Sequence, residues 1–228
     1  MKVTTDGCLF GAWVAENIRS NNPIAIGSAI RILDIGTGTG LLSLMLAQQS
    51  NATIDAVEID KEAWQQAVEN IADSSWADRI HVTLCDAKEF WSSWQYDVII
   101  SNPPFYENEL KSDSSKKNKA HHDEGLLLDD LLTIIQRNLQ PEGEFYLLLP
   151  YKRNNEIENL IVQNNLTLSY KMLVKQSTQH GYFRVMLSGK HSGYKNKSSI
   201  TTEIAICNEL KEYTPEFIHL LQHYYLYL

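Results

Sequence analysis

One short stretch of the chain joins an amide side chain, two prolines and an aromatic ring: Ser101-Asn-Pro-Pro-Phe-Tyr106. Proline fixes its own backbone and restricts the residue before it, so Pro103 and Pro104 predict a stiff loop with Asn102 at its base. The Asn102 side-chain oxygen and the Pro103 backbone carbonyl can both accept hydrogen bonds from one amino group. Two such acceptors localise the lone pair of a ring-conjugated amine and make it nucleophilic.

The aromatic residue of this stretch indicates that the acceptor is a flat ring. Phe105 can stack on a nucleic-acid base, which is worth about 1–3 kcal/mol in comparable sites. The loop therefore predicts group transfer to an exocyclic amine of adenine, cytosine or guanine, with Asn102, Pro103, Pro104 and Phe105 as catalytic residues. Such a transfer depends on alignment more than on a strong base, so we expect no catalytic His or Cys. An ordinary Pro-Pro turn after a strand is the alternative.

A second motif is rich in glycine: Asp34-Ile-Gly-Thr-Gly-Thr-Gly40. Gly36, Gly38 and Gly40 let the backbone turn sharply and approach a ligand without a Cβ in the way. Dinucleotide-binding proteins also have glycine-rich turns, but their third glycine would fall at Leu41. The spacing therefore departs from the dinucleotide pattern.

Two carboxylates follow the next two predicted strands. Glu58 ends the second strand and can accept hydrogen bonds from both hydroxyls of a ribose, and Asp86 follows the third and can accept one from an adenine amino group. Taken singly, Glu58 could be a helix N-terminal acid, Asp86 could cap a turn, and Asp34 could brace the glycine turn. Their joint position after three successive strands predicts an adenosine cofactor.

The elements that must position these motifs alternate between strands and helices. Apolar runs predict strands at 31–35, 53–59, 80–84, 96–101 and 144–149, and helices at 41–49, 61–72 and 126–139. Asp60 is the expected N-cap of the second helix. This alternation predicts an α/β doubly wound, Rossmann-like sheet that is mostly parallel. Ligands of such sheets bind beyond the C-terminal ends of the strands, where every motif above falls.

A long polar stretch, residues 106–124, has no apolar pattern. Loops of this length are uncommon in compact domains and often act as flexible lids over active sites. Lys119, His121 and His122 near its end are candidate substrate-binding residues, although a plain polar loop end is the alternative. The two histidines have no third ligand at metal spacing, so we expect no metal site.

The C-terminal part of the chain is basic although the net charge is −8. Residues 159–202 contain no Asp or Glu but six Lys or Arg residues, namely Lys171, Lys175, Arg184, Lys190, Lys195 and Lys197. This polarised charge favours a polyanion on one face, with Lys195 and Lys197 contacting phosphate; a solvated lysine-rich surface is the alternative. Within the basic region of about 168–206, the runs 182–187 and 200–206 predict an antiparallel hairpin added to the sheet.

Length and composition limit the classes of protein to which the chain can belong. With 228 residues, 43% of them hydrophobic, the chain is expected to form one domain over 1–228. It has no apolar stretch typical of a membrane span or a signal peptide. Its three cysteines, Cys8, Cys85 and Cys207, are far apart and predict neither disulfides nor a zinc site. We therefore expect a cytoplasmic protein without membrane contact, and the sequence indicates no obligate protein partner.

The glycine motif and Asn102-Pro-Pro-Phe105 together resemble those of the Rossmann-type amino-methyltransferases. That group includes DNA adenine and cytosine enzymes, ribosomal-RNA guanine enzymes and release-factor glutamine enzymes. Further stretches, covering nearly the whole chain, are similar to the bacterial valine-tRNA (adenine-N6) methyltransferases: Met1–Trp13, Ala56–Lys61, Trp76–Ile80, Tyr213–Phe217 and Tyr224–Leu226.

This resemblance implies S-adenosylmethionine as the cofactor and an adenine N6 in a tRNA anticodon loop as the acceptor. It also implies that the N-terminal segment lies over the methionine part of the cofactor, with Thr5 and Asp6 near the site. Guanine-N2 methylation of ribosomal RNA, glutamine-amide methylation of a protein, and cofactor binding without catalysis remain alternatives. Glutamine enzymes prefer Tyr after the two prolines and bring a helical substrate domain that this chain lacks.

The chain departs from the family pattern at two places. Members usually carry a polar and aromatic stretch before the Met-Lys-Val at which this chain starts. They also carry an Arg-His pair after the lid, where this chain has His121-His122. If that Arg touches phosphate, His121 would be a weaker and pH-dependent substitute.

Overall fold

A computed structural model describes residues 3–21, 30–103, 126–193 and 199–228. The predicted lid at 106–124 lies outside these ranges. So do seven of the candidate site residues: Pro104, Phe105, Lys119, His121, His122, Lys195 and Lys197.

In the described part of the chain, eight strands form one mixed sheet in the order β3-β2-β1-β4-β5-β7-β6-β8. Neighbouring strands from β3 to β5 are parallel, β7 is antiparallel to both β5 and β6, and β8 is parallel to β6. This arrangement confirms the doubly wound, mostly parallel methyltransferase sheet. The strands are β1 (Arg31–Ile35), β2 (Thr53–Glu58), β3 (Ile80–Leu84), β4 (Tyr96–Ser101), β5 (Leu139–Pro150), β6 (Leu166–Ser177), β7 (Tyr182–His191) and β8 (Ile200–Cys207).

Helices cover both faces of the sheet. The helices are α1 (Thr5–Asn21), α2 (Leu41–Gln49), α3 (Lys61–Ala72), α4 (Leu128–Asn138), α5 (Asn154–Gln163) and α6 (Pro215–Leu221), with a 3₁₀ turn at Tyr151–Arg153. Ile32 and Leu33 of β1 are both fully buried, and they belong to the two separate cores on opposite faces. A parallel strand covered on both faces is apolar on both, which is why β1 has no alternating pattern. Within the described ranges, no helix is long and apolar enough to cross a membrane.

Several predicted boundaries agree with the structure. The limits of β1, β3, β4, α2 and α3 are those expected from the sequence. Asp60 is the N-cap of α3, because its side chain accepts a hydrogen bond from the Ala63 N–H at 2.8 Å. β5 begins earlier than predicted, at Leu139, so that Pro141 and Gly143 lie inside it. Gly143 permits this path, since a Cβ there would lie 3.0 Å from the Asp97 carbonyl oxygen.

The C-terminal hairpin is antiparallel as predicted, but its strands differ from those expected. The sequence predicted pairing between runs 182–187 and 200–206, whereas β7 pairs with β6 and β8 pairs with the other edge of β6. β6 was not recognised as a strand and lies between the two. Gly189 permits close packing of β7, since a Cβ there would clash with the Thr167 carbonyl oxygen and the Phe145 ring.

The first helix was also missed, since no helix was predicted before residue 41. Residues Cys8, Leu9, Phe10, Ala12, Trp13, Val14 and Ala15 are all buried in α1. A helix that is buried nearly all round has no polar face, so it gives no amphipathic period to detect.

Candidate active site at the C-terminal edge of the sheet

The glycine turn lies between the end of β1 and the start of α2. Gly36, Gly38 and Gly40 have φ angles of +71°, +60° and +84°, a region that strains any side chain. The Gly36 and Thr37 N–H groups donate to the Val57 carbonyl oxygen at 2.9 and 3.1 Å, which ties the turn to β2. A Cβ on Gly36 would meet no atom within 4 Å, so the turn borders open space that a ligand can enter.

Glu58 is fixed beside this turn by backbone hydrogen bonds. Its side chain is buried, and Oε2 accepts from the Gly38 N–H at 2.8 Å. Oε1 accepts from the Ile59 and Asp60 N–H groups, both at 2.9 Å. Because a carboxylate offers about four acceptor positions, it retains capacity for a further hydroxyl donor. This geometry supports a ribose-binding role, which stays a prediction.

Asp34 is fully buried under the turn. Its Oδ2 accepts from the Thr37 and Ser43 hydroxyls, both at 2.7 Å, whereas Oδ1 has no hydrogen-bond partner among the described residues. Burial, reinforced by the charge of Glu58, raises the pKa of Asp34 to about 6, although the Thr37 and Ser43 hydroxyls oppose the shift. Asp34 therefore braces the turn with one oxygen, and a cofactor contact through the other stays a prediction.

Among the described residues, Asp86 has local partners only. Its Oδ1 accepts from the Lys88 N–H at 2.9 Å, and its Oδ2 lies 3.8 Å from the Lys88 Nζ. Its carbonyl oxygen accepts from the N–H groups of Glu89 and Phe90. These contacts agree with the alternative that Asp86 caps a turn. The role toward adenine stays a prediction.

The predicted catalytic loop leaves the end of β4, next to the end of β1. The fully buried Ser101 hydroxyl donates to the Ile35 carbonyl oxygen at 2.8 Å, which fixes the two strand ends together. Asn102 follows directly and is partly buried, and Pro103 is buried. The amide and carbonyl proposed to orient the acceptor amine are therefore anchored next to the glycine turn.

The first turn of α1 packs against this loop. A Cβ on Gly7 would lie 3.8 Å from the Asn102 Nδ2 and 3.8 Å from the Leu41 Cδ2. The N-terminal segment therefore lies at the site, as the resemblance implied. Thr5 is exposed, and a contact of Thr5 or Asp6 with the cofactor stays a prediction.

Asp6 has a partner in β7. Arg184 Nε donates to Asp6 Oδ2 at 2.7 Å. Burial by itself would raise the pKa of Asp6, but hydrogen bonds from Thr4 and Arg184 and the charge of Arg184 outweigh it and hold the pKa below its usual value.

The expected basic face is largely neutralised. Acids from other parts of the chain pair with four of its cations: Lys171–Glu158 at 2.6 Å, Lys175–Glu203 at 3.2 Å, Arg184–Asp6 at 2.7 Å and Lys190–Glu144 at 3.9 Å. The linear charge count therefore overestimated the basic surface, because it ignored acids that the fold brings alongside. A phosphate contact through Lys195 and Lys197 stays a prediction.

Sequence reasoning missed three residues that shape the site: Ser101, Gly7 and Arg184. Ser101 could have been noticed as a polar residue ending an apolar strand, and Gly7 as a small residue within a helix. Arg184 gave no local signal, since its partner lies 178 positions away.

The residues present fit S-adenosylmethionine. The fixed Glu58 carboxylate suits a ribose, the glycine turn borders open space, and the buried Asp34 Oδ1 suits a cationic amino group. Within the described ranges, no group of three or more His, Cys, Asp or Glu residues could hold a metal ion.

Comparison with known proteins agrees with this fit. The sequence model of the Methyltransferase small domain matches residues 22–155. Among solved structures, a predicted O-methyltransferase from Agrobacterium tumefaciens has a TM-score of 0.66 at 15% identity, covering 96% of this chain and 97% of its own. A putative RNA methyltransferase from Pyrococcus horikoshii has a TM-score of 0.57 at 19% identity, covering 79% and 83%. At these identities the likeness shows the fold alone.

Relatives that are similar over the whole chain identify the family. A tRNA1(Val) (adenine(37)-N6)-methyltransferase from Dyadobacter fermentans is 39% identical, over 99% of this chain and 91% of the relative. The protein of the same name from Cytophaga hutchinsonii is 36% identical, over 100% and 92%. These relatives span the N-terminal segment, the glycine turn, the Asn102 loop and the C-terminal strands alike. The chain therefore belongs to the S-adenosylmethionine-dependent tRNA1(Val) (adenine(37)-N6)-methyltransferase family.

Proposed function

We propose that this chain transfers the methyl group of S-adenosylmethionine to N6 of adenine 37 in the anticodon loop of tRNA1(Val). The observation that carries the proposal is similarity over essentially the whole chain to relatives named for this reaction, at 39% identity for the Dyadobacter fermentans protein. The position of Asn102 beside the glycine turn supports it, because donor and acceptor sites must adjoin for direct transfer.

The residues of the catalytic loop act on the acceptor. S-adenosylmethionine supplies an electrophilic methyl group on its sulfonium. The Asn102 Oδ1 and the Pro103 carbonyl oxygen accept hydrogen bonds from the two N6–H groups of adenine, which localises the nitrogen lone pair and directs it toward the donor. As the methyl group replaces one N6 hydrogen, that proton would pass to water and S-adenosylhomocysteine would leave. Ser101 fixes this pair of acceptors through the Ile35 carbonyl, so little reorganisation is needed during transfer.

Binding of the base follows from its exposure in a loop. A base in an anticodon loop needs no unpairing, whereas a base in a duplex must first be flipped out. Phe105 stacks on the adenine, and Lys119, His121, His122, Lys195 and Lys197 contact the surrounding RNA. We therefore expect almost no activity on double-stranded DNA.

The protein acts as one methyltransferase domain in the cytoplasm, without an obligate protein partner. Purified protein is therefore sufficient for the decisive assay. Tritiated S-adenosylmethionine is mixed with total RNA and, separately, with unmodified tRNA1(Val) and the same tRNA carrying guanine at position 37. Nucleoside analysis should recover N6-methyladenosine from total RNA and from the adenine-37 tRNA, and no label from the guanine-37 tRNA.

The controls for this assay test the choice of substrate and the role of Asn102 separately. Asn102→Ala should abolish labelling of the adenine-37 tRNA while still binding S-adenosylmethionine. N2-methylguanosine as the product would retain the cofactor and the catalytic loop but overturn the choice of substrate. Label in protein rather than RNA would favour a glutamine acceptor instead.

A further inference from the structure

Arg184 lies at the edge of the sheet that carries the site. It is paired in β7 with Pro150, the last residue of β5. Because β5 runs parallel to β4, which ends at Ser101, Arg184 lies on the same side as the catalytic loop. Its guanidinium is held locally: Nη1 donates to the Phe183 carbonyl oxygen at 3.4 Å, and Cζ lies 5.4 Å from the centre of the Phe183 ring.

The guanidinium also crosses to the N-terminal helix. Arg184 Nε donates to Asp6 Oδ2 at 2.7 Å, and the two side chains are 29% and 14% exposed. A charge-assisted hydrogen bond that is partly buried is stronger and less screened than a surface ion pair. Asp6 lies in the first turn of α1, where the helix dipole also favours a negative charge.

This turn lies next to the side chain proposed to orient the acceptor. The Gly7 and Cys8 N–H groups donate to Thr4, at its Oγ1 (3.3 Å) and its carbonyl oxygen (3.0 Å). The turn is therefore a compact unit, and a Cβ on Gly7 would lie 3.8 Å from the Asn102 Nδ2. Since a shift of about 1 Å in a reacting geometry can cost ~100-fold in rate, control of this turn matters for catalysis.

We propose that Arg184 is a positioning residue for methyl transfer: through Asp6, it holds the first turn of α1 against Asn102. This inference rests on the proposed function, because Asn102 is there the group that orients the acceptor amine. Arg184 touches neither donor nor acceptor in this role, and Asp6 acts through the helix instead of binding the cofactor.

The first test measures the contact without any reaction. Hydrogen exchange is followed by mass spectrometry on the protein alone, for the wild type, Arg184→Met and Asp6→Asn. Both variants should exchange the amides of residues 7–10 at least fivefold faster. Arg153→Met is the matched control, because it removes a guanidinium pair with Glu156 (Nη2–Oε1, 2.6 Å) outside α1. Thermal unfolding checks that Arg184→Met is folded. If it is folded and its exchange is unchanged, the inference is wrong.

The second test measures turnover on adenine-37 tRNA1(Val). Arg184→Met and Asp6→Asn should each lower kcat at least tenfold. The double variant should fall no further than Arg184→Met alone, since Asp6→Asn then has no Arg184 pair left to remove. The KM for tRNA and the calorimetric affinity for S-adenosylmethionine should stay within twofold. Arg184→Lys, which keeps the positive charge on a smaller group, should recover part of the loss.

Other outcomes overturn the inference and leave the proposed function intact. If Arg184 instead contacts phosphate directly, Arg184→Met would raise the KM for tRNA and reduce its salt dependence, and Asp6→Asn would leave both unchanged. A cofactor contact by Asp6 would weaken S-adenosylmethionine binding in Asp6→Asn. Failure of the proposed function is recognised separately, because the wild type itself would then leave the tRNA unmethylated.

Discussion

The buried Asp34 carboxyl should couple both folding and cofactor binding to pH. Its pKa is raised from 3.8 to about 6, chiefly by burial. Each pKa unit corresponds to about 1.4 kcal/mol, so the shift is worth about 3 kcal/mol. The folded state holds this proton more tightly than the unfolded state. The contribution to stability is therefore fully present below about pH 4 and is lost as pH rises through about 6.

Asn at position 34 isolates this contribution, because it keeps the shape and an acceptor but cannot ionise. The free energy of unfolding of the wild type, relative to Asp34→Asn, should fall by about 3 kcal/mol between pH 4 and pH 7. Chemical denaturation at several pH values measures it. Asp60→Asn is the control, since Asn is an equally good N-cap, and it should keep the wild-type pH dependence.

Cofactor binding should remove the proton from the Asp34 carboxyl. The Asp34 Oδ1 has no partner among the described residues, and a cationic amino group there would favour the ionised carboxylate. At about pH 5, binding should therefore release close to one proton, and at pH 8 close to none. Calorimetry in two buffers with different ionisation enthalpies counts these protons. If proton release is absent in the wild type, or persists unchanged in Asp34→Asn, this assignment of Oδ1 is refuted.

Four further changes test other parts of the molecule. Glu58→Ala should weaken S-adenosylmethionine binding by about 1–3 kcal/mol, as measured by calorimetry, and an unchanged affinity would remove Glu58 from the ribose role. Asn102→Ala should leave that affinity nearly intact while turnover falls more than tenfold, and a variant retaining a tenth of wild-type turnover would contradict amine activation. Replacing Lys195 and Lys197 by Glu should weaken RNA binding in filter assays without altering cofactor binding, and RNA affinity that is flat with salt would contradict phosphate contacts. Gly189→Ala should lower the free energy of unfolding by about 1–3 kcal/mol in chemical denaturation, because its Cβ would overlap the Phe145 ring, and wild-type stability would contradict that packing.

The sequence by itself determined the parts of this protein that rest on local chemistry. Gly36, Gly38 and Gly40 permit the positive φ angles of the turn without a Cβ penalty, and Asp60 can cap α3 because its donor is only three residues away. β1 and β4 could be predicted because both faces of a parallel strand are apolar. The positions of Asp34, Glu58 and Asn102 after successive strands followed from these same elements.

Tertiary structure alone decided which distant groups meet. β6 lies between β7 and β8, and no local pattern specifies that partner choice, because strand pairing depends on contacts between residues far apart in the chain. Charge is the plainest case: the acid-free region predicted a basic face, yet acids from four other places neutralise most of it. The pairing of Asp6 with Arg184 depends on where α1 packs, because an electrostatic contact is set by distance in space and not by separation in sequence.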